Sequence, residues 1–509
     1  MRWPLAGFAA AVLFLALVAR FWHPVYAFTS FYQLDVPDGF PKISAFSELP
    51  VYVHFNMGGY DGLYYAQLAH DPTLRDPELR TAMDDFSYRA RRILAPALAW
   101  LLGAGQPRWI IHTYALLNVA AWLVLAAVLW RILKVDSFRG WFAWMGLLFS
   151  AGALCSVRLA LTDVLAVLLI AAALHAADRQ RGRLAVALVA ASSLARETGV
   201  LAVAGLCQAP WISRKNILRV ALAAAPLAAW FAYVRFQVGP GNPGWGNFTM
   251  PVAGLLEKWR ESFGALGTVA DKQIAWGTFL ATIAITAQAV FFLTRWAMTD
   301  RWWRLGISYT VLLLLLGTAV WEGFPGAATR VLLPLHLAFT VFAHRARASF
   351  WWLILGNLSL FSGLVTLRDV PREPSELVAQ NLGPTVAVVR FQGGWFARES
   401  DRRHVWLWSD QRGLLDLETI PPSAQPLRMD FSLRSLTPRR VILRVEGKEL
   451  WRGEIGPART HHSVILPAAL PRHTELEFST DTPPTLESPA PGARPLAFAL
   501  YSIRVSLGP

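Results

Sequence analysis

The sequence predicts a polytopic α-helical membrane domain followed by a separate antiparallel β-sandwich. Three observations predict it. The 509 residues are 54% hydrophobic and only 16% charged, with 23 Trp and 29 Phe, and the mean hydropathy is +0.37, a balance foreign to ordinary soluble domains. Apolar runs bounded by charge recur as far as Leu367, as spanning helices require. Beyond Leu367 the pattern changes to short alternating segments, the signature of strands.

The first run, Leu5 to Trp22, has Arg2 before it and Val25-Tyr26-Ala27 after it, which mimics a secretory signal with its cleavage site. It continues through Phe21-Trp22 as a spanning helix does, so it is read as an uncleaved anchor. The further runs are Trp109 to Trp130, Gly140 to Ser156, Leu159 to Ala177, Leu184 to Ala195, Gly199 to Trp211, Ile217 to Val234, Gln273 to Leu293, Leu305 to Val320, Val331 to Ala343 and Phe350 to Leu367. Together they predict about eleven transmembrane helices. Every second connection is basic, as in Arg131, Lys134 and Arg139, or Arg179, Arg181 and Arg183. The positive-inside rule then puts the N-terminus in the cytoplasm and the sandwich outside. The net charge of +14 is thereby read as topology and not as nucleic-acid binding. Leu184 to Ala195 and Gly199 to Trp211 reach only about 19 Å each at 1.5 Å per residue, short of a core of about 30 Å. They predict a re-entrant hairpin with Arg196-Glu197-Thr198 at its tip, where charge is tolerated only against protein or a wet cavity.

Three connections fall outside. The first, residues 23–108, is long; its stretch Pro77 to Gly103 is acidic early and basic later, with a kink expected at Pro96. The second, residues 235–272, runs from the glycine and proline segment Gly239 to Gly246 into an amphipathic helix around Leu255 to Phe263. The third holds Glu322 and Arg330. A membrane domain of residues 1–367, a linker of residues 368–384 marked by Pro371 and Pro374, and a sandwich of residues 385–509 follow. About nine strands are expected in the sandwich, with a hairpin turn at Glu446-Gly447-Lys448.

Within the first external loop, Gly58 to Pro72 places one acidic residue, Asp61, among glycines and Tyr60, Tyr64 and Tyr65. A carboxylate there is a candidate general base, and tyrosines stack on sugar rings. The plainer reading is a glycine turn leading into an amphipathic surface helix.

This layout resembles the C-type (GT-C) glycosyltransferase superfamily, the polytopic enzymes that take a sugar from a polyprenyl-phosphate carrier. Gly59-Tyr60-Asp61-Gly62, Tyr64-Tyr65, Asp71-Pro72 and Tyr88-Arg89-Ala90-Arg91-Arg92-Ile93-Leu94-Ala95-Pro96 are similar to a bacterial group of cell-envelope glycosyltransferases. Leu194-Ala195-Arg196-Glu197-Thr198-Gly199 and Arg330-Val331-Leu332-Leu333-Pro334-Leu335 match patterns common there, and the module with Gly394-Trp395 and Arg494-Pro495-Leu496 looks like a sandwich appended to several members. The resemblance implies a bacterial plasma-membrane enzyme whose partners are membrane lipids, a polyprenyl-phosphate sugar donor and an envelope glycan, lipid or protein acceptor, without nucleic acid.

Such transfer needs a base, positive charge for the leaving phosphate, and a cavity open to lipid and to the outer water. Asp61 is the first choice of base and Asp163, in Leu161-Thr162-Asp163, the second. A single activating carboxylate implies inversion at the anomeric carbon. Arg89, Arg92, Arg196 and Arg330 are the phosphate ligands, since a planar guanidinium binds two oxygens at once. The competing reading pairs Arg89, Arg91 and Arg92 with Asp84 and Asp85, and lets Glu197 neutralise Arg196. Tyr60, Tyr64, Tyr65, Glu197 and Glu322 are candidate sugar contacts. In the sandwich, Trp395, Trp406, Trp408 and Trp451 form either a sugar platform or simply the sheet core. No cofactor is expected; His54, His70 and Asp71 show no recognised metal-ligand spacing, so the reaction is read as metal-independent. Cys155 and Cys207 both lie in apolar segments and indicate no disulfide framework. Two other classes fit the composition: a transporter or flippase of lipid-linked sugars, whose polar groups would sit near mid-membrane, and a non-catalytic glycan-binding assembly protein.

Overall fold

The computed structural model describes residues 2–23, 25–36, 43–47, 49–55, 59–370, 377–382, 385–397, 399–400, 405–489 and 492–508. Gly58, Pro371 and Pro374 lie outside the described residues. The chain divides into two compact units, one of Met1–Trp22, Phe28–Phe46 and Asn56–Val370, the other of His23–Ala27, Ser47–Phe55 and Pro371–Pro509.

The first unit is helical. Pro107–Leu133, Arg214–Gln237 and Lys272–Thr294 are long and apolar enough to cross a membrane. Their starts follow from local chemistry: Pro107 occupies a first-turn position where its missing N–H costs nothing, while Ser213 and Asp271 accept hydrogen bonds from first-turn backbone amides. Phe138–Leu148 and Ala151–Arg158 together qualify as a fourth span, bent by 42°. The run Gly140 to Ser156 was expected as one helix; the break arises because Ser150 leaves the helical conformation and caps the second piece through Ala153 N. Phe350 to Leu367 is likewise divided, into Phe350–Gly356 and Ser359–Thr366. Length and hydropathy thus pick out at least three crossings, four with the bent pair, against the eleven expected from apolar runs.

The hairpin segment has a helical first arm, Gly182–Ala195, and a 3-10 second arm, Glu197–Gly205. Arg196 between them is extended, with φ −152° and ψ 130°. The stretch Pro77 to Gly103 is three short helices, Glu78–Thr81, Phe86–Arg89 and Leu94–Leu102. Pro96 falls in the first turn of the last one, where proline is tolerated, so it helps to start that helix and does not kink it.

Among the described residues the strands are β1 (Leu34–Val36) and β2 (Val53–Phe55), and then β3 (Leu377–Asn381), β4 (Val386–Phe391), β5 (Glu399–Ser400), β6 (Val405–Ser409), β7 (Arg412–Ile420), β8 (Leu427–Ser435), β9 (Arg439–Val445), β10 (Lys448–Ile455), β11 (Thr460–Ile465), β12 (His473–Ser479), β13 (Thr485–Leu486), β14 (Pro495–Leu496) and β15 (Phe498–Leu507). One sheet runs β10-β9-β12-β7-β4-β3 and the other β11-β8-β15-β6-β5, with antiparallel pairing throughout. Each of the nine expected strands has its counterpart. Leu377–Asn381, assigned to the linker from sequence, is instead an edge strand on β4; its three apolar residues are consecutive and followed by Gln380 and Asn381, so no alternation marks it. Leu415, Leu443 and Phe478 from one sheet and Met429, Phe431 and Val505 from the other share a single buried core, which makes the pair of sheets a sandwich. Glu446 and Gly447, with φ of 47° and 76°, form the two-residue turn between β9 and β10.

Candidate functional site

Asp61 stands at the N-terminal boundary of the helix Gly62–Leu68, yet its side chain caps nothing. That leaves the carboxylate free to point elsewhere. Gly62 fixes the placement: an added Cβ would lie 2.2 Å from the Leu159 carbonyl oxygen, so only glycine lets this corner of the loop settle against the C-terminal end of the helix Ala151–Arg158. Asp61 Oδ1 lies 2.9 Å from Arg89 Nη1, with the carboxylate side chain 24% exposed. Arg89 is itself clamped by Asp84, accepting at 2.9 Å from Nε and 2.6 Å from Nη2, and lies 4.9 Å from the centre of the Tyr64 ring. Burial alone would raise the Asp84 carboxyl, but the hydrogen bonds and charge of Arg89 outweigh it and hold Asp84 below its usual value. Burial pushes the Tyr64 hydroxyl up to about 12, with Asp84 adding to the shift, so it is a neutral donor at any physiological pH.

Beneath this corner three more guanidinium groups gather. Arg92 donates to Glu197 at 3.0 Å, to the Tyr65 hydroxyl at 2.6 Å and to the Tyr88 hydroxyl at 3.2 Å. Arg196, carried to the hairpin tip by its extended backbone, donates to Asp163 Oδ1. Arg330, on the one-turn helix Ala328–Val331, lies 3.5 Å from Asp163 Oδ2 and donates to the Tyr60 hydroxyl at 2.6 Å. Asp163 opens the helix Asp163–Asp178, where the helix dipole favours a negative charge. It is 2% exposed and takes a further hydrogen bond from Ser156 at 3.1 Å. One buried carboxylate therefore positions two arginines that are far apart in the chain. The Nε donors of Arg196 and Arg330 are both buried without a partner among the described residues.

The roof comes from the segment of residues 235–272 and the helix before it. Arg80 donates to the carbonyls of Gln237 and Val238 at 2.8 and 2.9 Å, covering the C-terminal end of Arg214–Gln237. Arg91 donates to the carbonyl of Asn242 at 2.5 Å, and Trp230 donates to that of Ala90 at 2.8 Å. The cavity is about 880 Å³, within the range of about 300–1,000 Å³ common to small-molecule sites. Arg89, Arg91, Arg92, Arg196 and Arg330 line it against Asp61, Asp84, Asp85 and Glu197. Most of that positive charge is already answered. The two orphaned Nε donors are the exception, and a buried donor without a partner costs about 1–3 kcal/mol.

Of the residues singled out from sequence, Tyr60, Asp61, Tyr64, Arg89, Arg92, Arg196, Glu197 and Arg330 line this one cavity. Tyr65 is buried behind it on Arg92, and Asp163 lies beneath it. Glu322 is exposed and outside the lining. Trp395 and Trp406 belong to the second unit. Trp395 donates to the Leu414 carbonyl at 2.9 Å and packs edge-on with Phe391 and Phe498, whereas Trp406 donates to Glu399 at 2.9 Å and stacks on Tyr501. Sequence reasoning did not single out Tyr88 or Phe231. Tyr88 lies inside a quoted motif and was within reach; Phe231 had no pattern to mark it. Asn247, which also lines the cavity, opens an Asn-Phe-Thr glycosylation-acceptor pattern that reads from sequence as plain loop. Among the described residues no group of three or more His, Cys, Asp or Glu side chains comes together that could hold a metal ion, and both cysteines are free.

No family model and no curated protein matches the chain. Among solved structures, it is similar to arabinosyltransferase EmbB from Mycobacterium smegmatis, at 12% identity and a TM-score of 0.21, over 88% of this chain and 62% of that one. A second similarity, at 12% identity and a TM-score of 0.16, covers 25% of this chain and 91% of TmCBM61, solved in complex with beta-1,4-galactotriose. At such scores neither likeness decides what this chain does, which leaves function to the chemistry of the pocket.

Proposed function

We propose that this chain is an integral membrane glycosyltransferase that moves a monosaccharide from a polyprenyl-phosphate donor to an envelope glycan, lipid or protein acceptor at the outer membrane face. One observation carries the reading: a partly exposed carboxylate, Asp61, and two arginines, Arg196 and Arg330, whose buried Nε donors have no partner among the described residues, line the same cavity.

In this mechanism the acceptor hydroxyl gives its proton to Asp61 as its oxygen attacks the anomeric carbon. The bond from that carbon to the phosphate oxygen breaks, and polyprenyl phosphate leaves with the electron pair. Arg196 and Arg330 receive the growing negative charge, and such preorganised donors act strongly in a water-poor site. Arg89, 2.9 Å from Asp61, holds the carboxylate in place, while Tyr60 and Tyr64 give the sugar a ring surface and hydroxyl donors. Attack opposite the leaving group inverts the anomeric centre. In the sandwich, the pair of Trp406 and Tyr501 is the surface for the acceptor glycan.

The test is transfer by the purified chain from polyprenyl-phosphate sugars, read as product and as anomeric configuration. Asp61→Asn should cut transfer by about 10²–10⁴-fold while donor binding survives. A product that keeps the donor's configuration, or an Asp61→Asn enzyme of normal rate, overturns the assignment. Unaltered donor movement across vesicles by that variant, with no transfer by either form, would favour a transporter.

A further inference from the structure

A second cavity, unconnected with the chemistry above, lies between the helices Gly182–Ala195 and Arg214–Gln237. It is about 850 Å³ and lined chiefly by Val186, Ala190, Leu194, Leu218, Leu222 and Pro226. Three cations, Arg183, Lys215 and Arg219, stand at one end, and no carboxylate lines it. Arg219 spends Nη1 on the Leu206 carbonyl at 2.9 Å. Arg183 and Lys215 carry no side-chain hydrogen bond or ion pair among the described residues and both are exposed. The helix Arg214–Gln237 qualifies as a membrane span, yet only 11% of its apolar window is buried within the protein. A groove on such a helix is filled by something from the bilayer.

We propose that this groove is a binding site for one anionic phospholipid, with its phosphate held by Arg183 and Lys215 and an acyl chain lying along Leu218, Leu222 and Pro226. Two lengths support the match. From Lys215 to Pro226 the helix rises about 16 Å at 1.5 Å per residue, close to half of a hydrocarbon core of about 30 Å, which is the depth of one leaflet. From Lys215 to Phe231, which lines the cavity of Asp61, the rise is about 24 Å. A phosphate held at the cationic mouth is therefore too far from Asp61 to be the reacting one, so the occupant is a second lipid and not the sugar donor. Basic clefts between membrane helices select acidic head groups for the same electrostatic reason.

The groove and the pocket share their two helices: Gly182–Ala195 ends at Arg196, and Arg214–Gln237 carries Phe231. A bound lipid therefore braces the helices that position one wall of the pocket. The test is native mass spectrometry of the full chain in detergent with added phosphatidylglycerol, phosphatidylcholine or a polyprenyl phosphate. Phosphatidylglycerol should be retained about tenfold better than phosphatidylcholine, as two basic contacts allow, and Arg183→Gln with Lys215→Gln should erase the preference. Ala190→Trp, which fills the groove and leaves both cations in place, should lower retention of phosphatidylglycerol. Equal retention of the two phospholipids, a preference indifferent to both sets of substitutions, or a dependence on Arg183 and Lys215 shown by the polyprenyl phosphate alone overturns the proposal. None of these outcomes depends on whether Asp61 transfers sugar.

Discussion

Two aspartates with the same charge sit in this pocket in different circumstances, and their substitutions should fail differently. Asp61 is partly open and bonded to a single arginine; Asp163 is buried and answers both Arg196 and Arg330. Asp61→Asn should cut kcat by about 10²–10⁴-fold, the usual contribution of a general base, with the melting temperature of the detergent-solubilised protein little changed. Asp163→Asn strands two buried guanidinium groups, and removing one partner of such a cluster costs about 3–5 kcal/mol, so thermal unfolding should shift sharply downward. Equal melting temperatures in the two variants would refute this division. Arg330→Lys keeps the charge but loses the fork that reaches Asp163 and Tyr60 together; normal activity in it would remove Arg330 from phosphate binding. For Asp84 the folded value is depressed, so its hold on Arg89 is complete above the ordinary carboxylate value of about 3.9 and is lost only as pH falls through the lower folded value. Wild-type transfer should therefore decline in that acid window, while Asp84→Asn should be impaired already at neutral pH.

At the level of elements, the hairpin tip decides whether Arg196 reaches the pocket. Its two arms approach so closely at Gly199 that an added Cβ would meet the Ser192 carbonyl oxygen at 2.7 Å. Tyr309 steadies the second arm by donating to the Thr198 carbonyl at 2.7 Å. Gly199→Ala must therefore move backbone, and Arg196 with it. Loss of donor affinity in Gly199→Ala, matched by Arg196→Ala and not worsened in the double variant, is the expected coupling; additive losses would show that the hairpin and the arginine act separately. In the sandwich, Phe431 is fully buried and meets Trp451 and Phe478 edge-on. Phe431→Ala should cost about 3–5 kcal/mol, read as a lower unfolding temperature.

For the whole molecule the proposed reaction sets a requirement of sidedness. Cysteines introduced at Tyr60 and at an exposed sandwich position such as Arg452 should react with a membrane-impermeant maleimide from the same face. Labelling from opposite faces removes the outer-face mechanism. Incubation with a chelator should leave transfer unchanged if the arginines alone hold the phosphate; loss of transfer restored by added magnesium would assign part of that task to a metal.

Residues 2–367 read as helical because apolar runs record a burial requirement that each segment carries in itself, and most of the sandwich strands read equally well because alternation is local. The acidic residue Asp61 and the arginines of the pocket were legible for a related reason: charge and glycine beside apolar sequence are conspicuous. The breaks at Ser150 and Asn357, the 3-10 arm of the hairpin and the short edge strand Leu377–Asn381 were not, since hydrophobic content barely changes across them. Only the tertiary structure decided that Asp163 answers Arg196 and Arg330 and that the loop around Asn247 roofs the cavity, whereas the clamp of Asp84 on Arg89, five positions away, was already one of the two readings the sequence offered. Sequence can disclose which charges must find partners; choosing those partners depends on distances between segments 33 to 167 positions apart, and packing alone sets those distances.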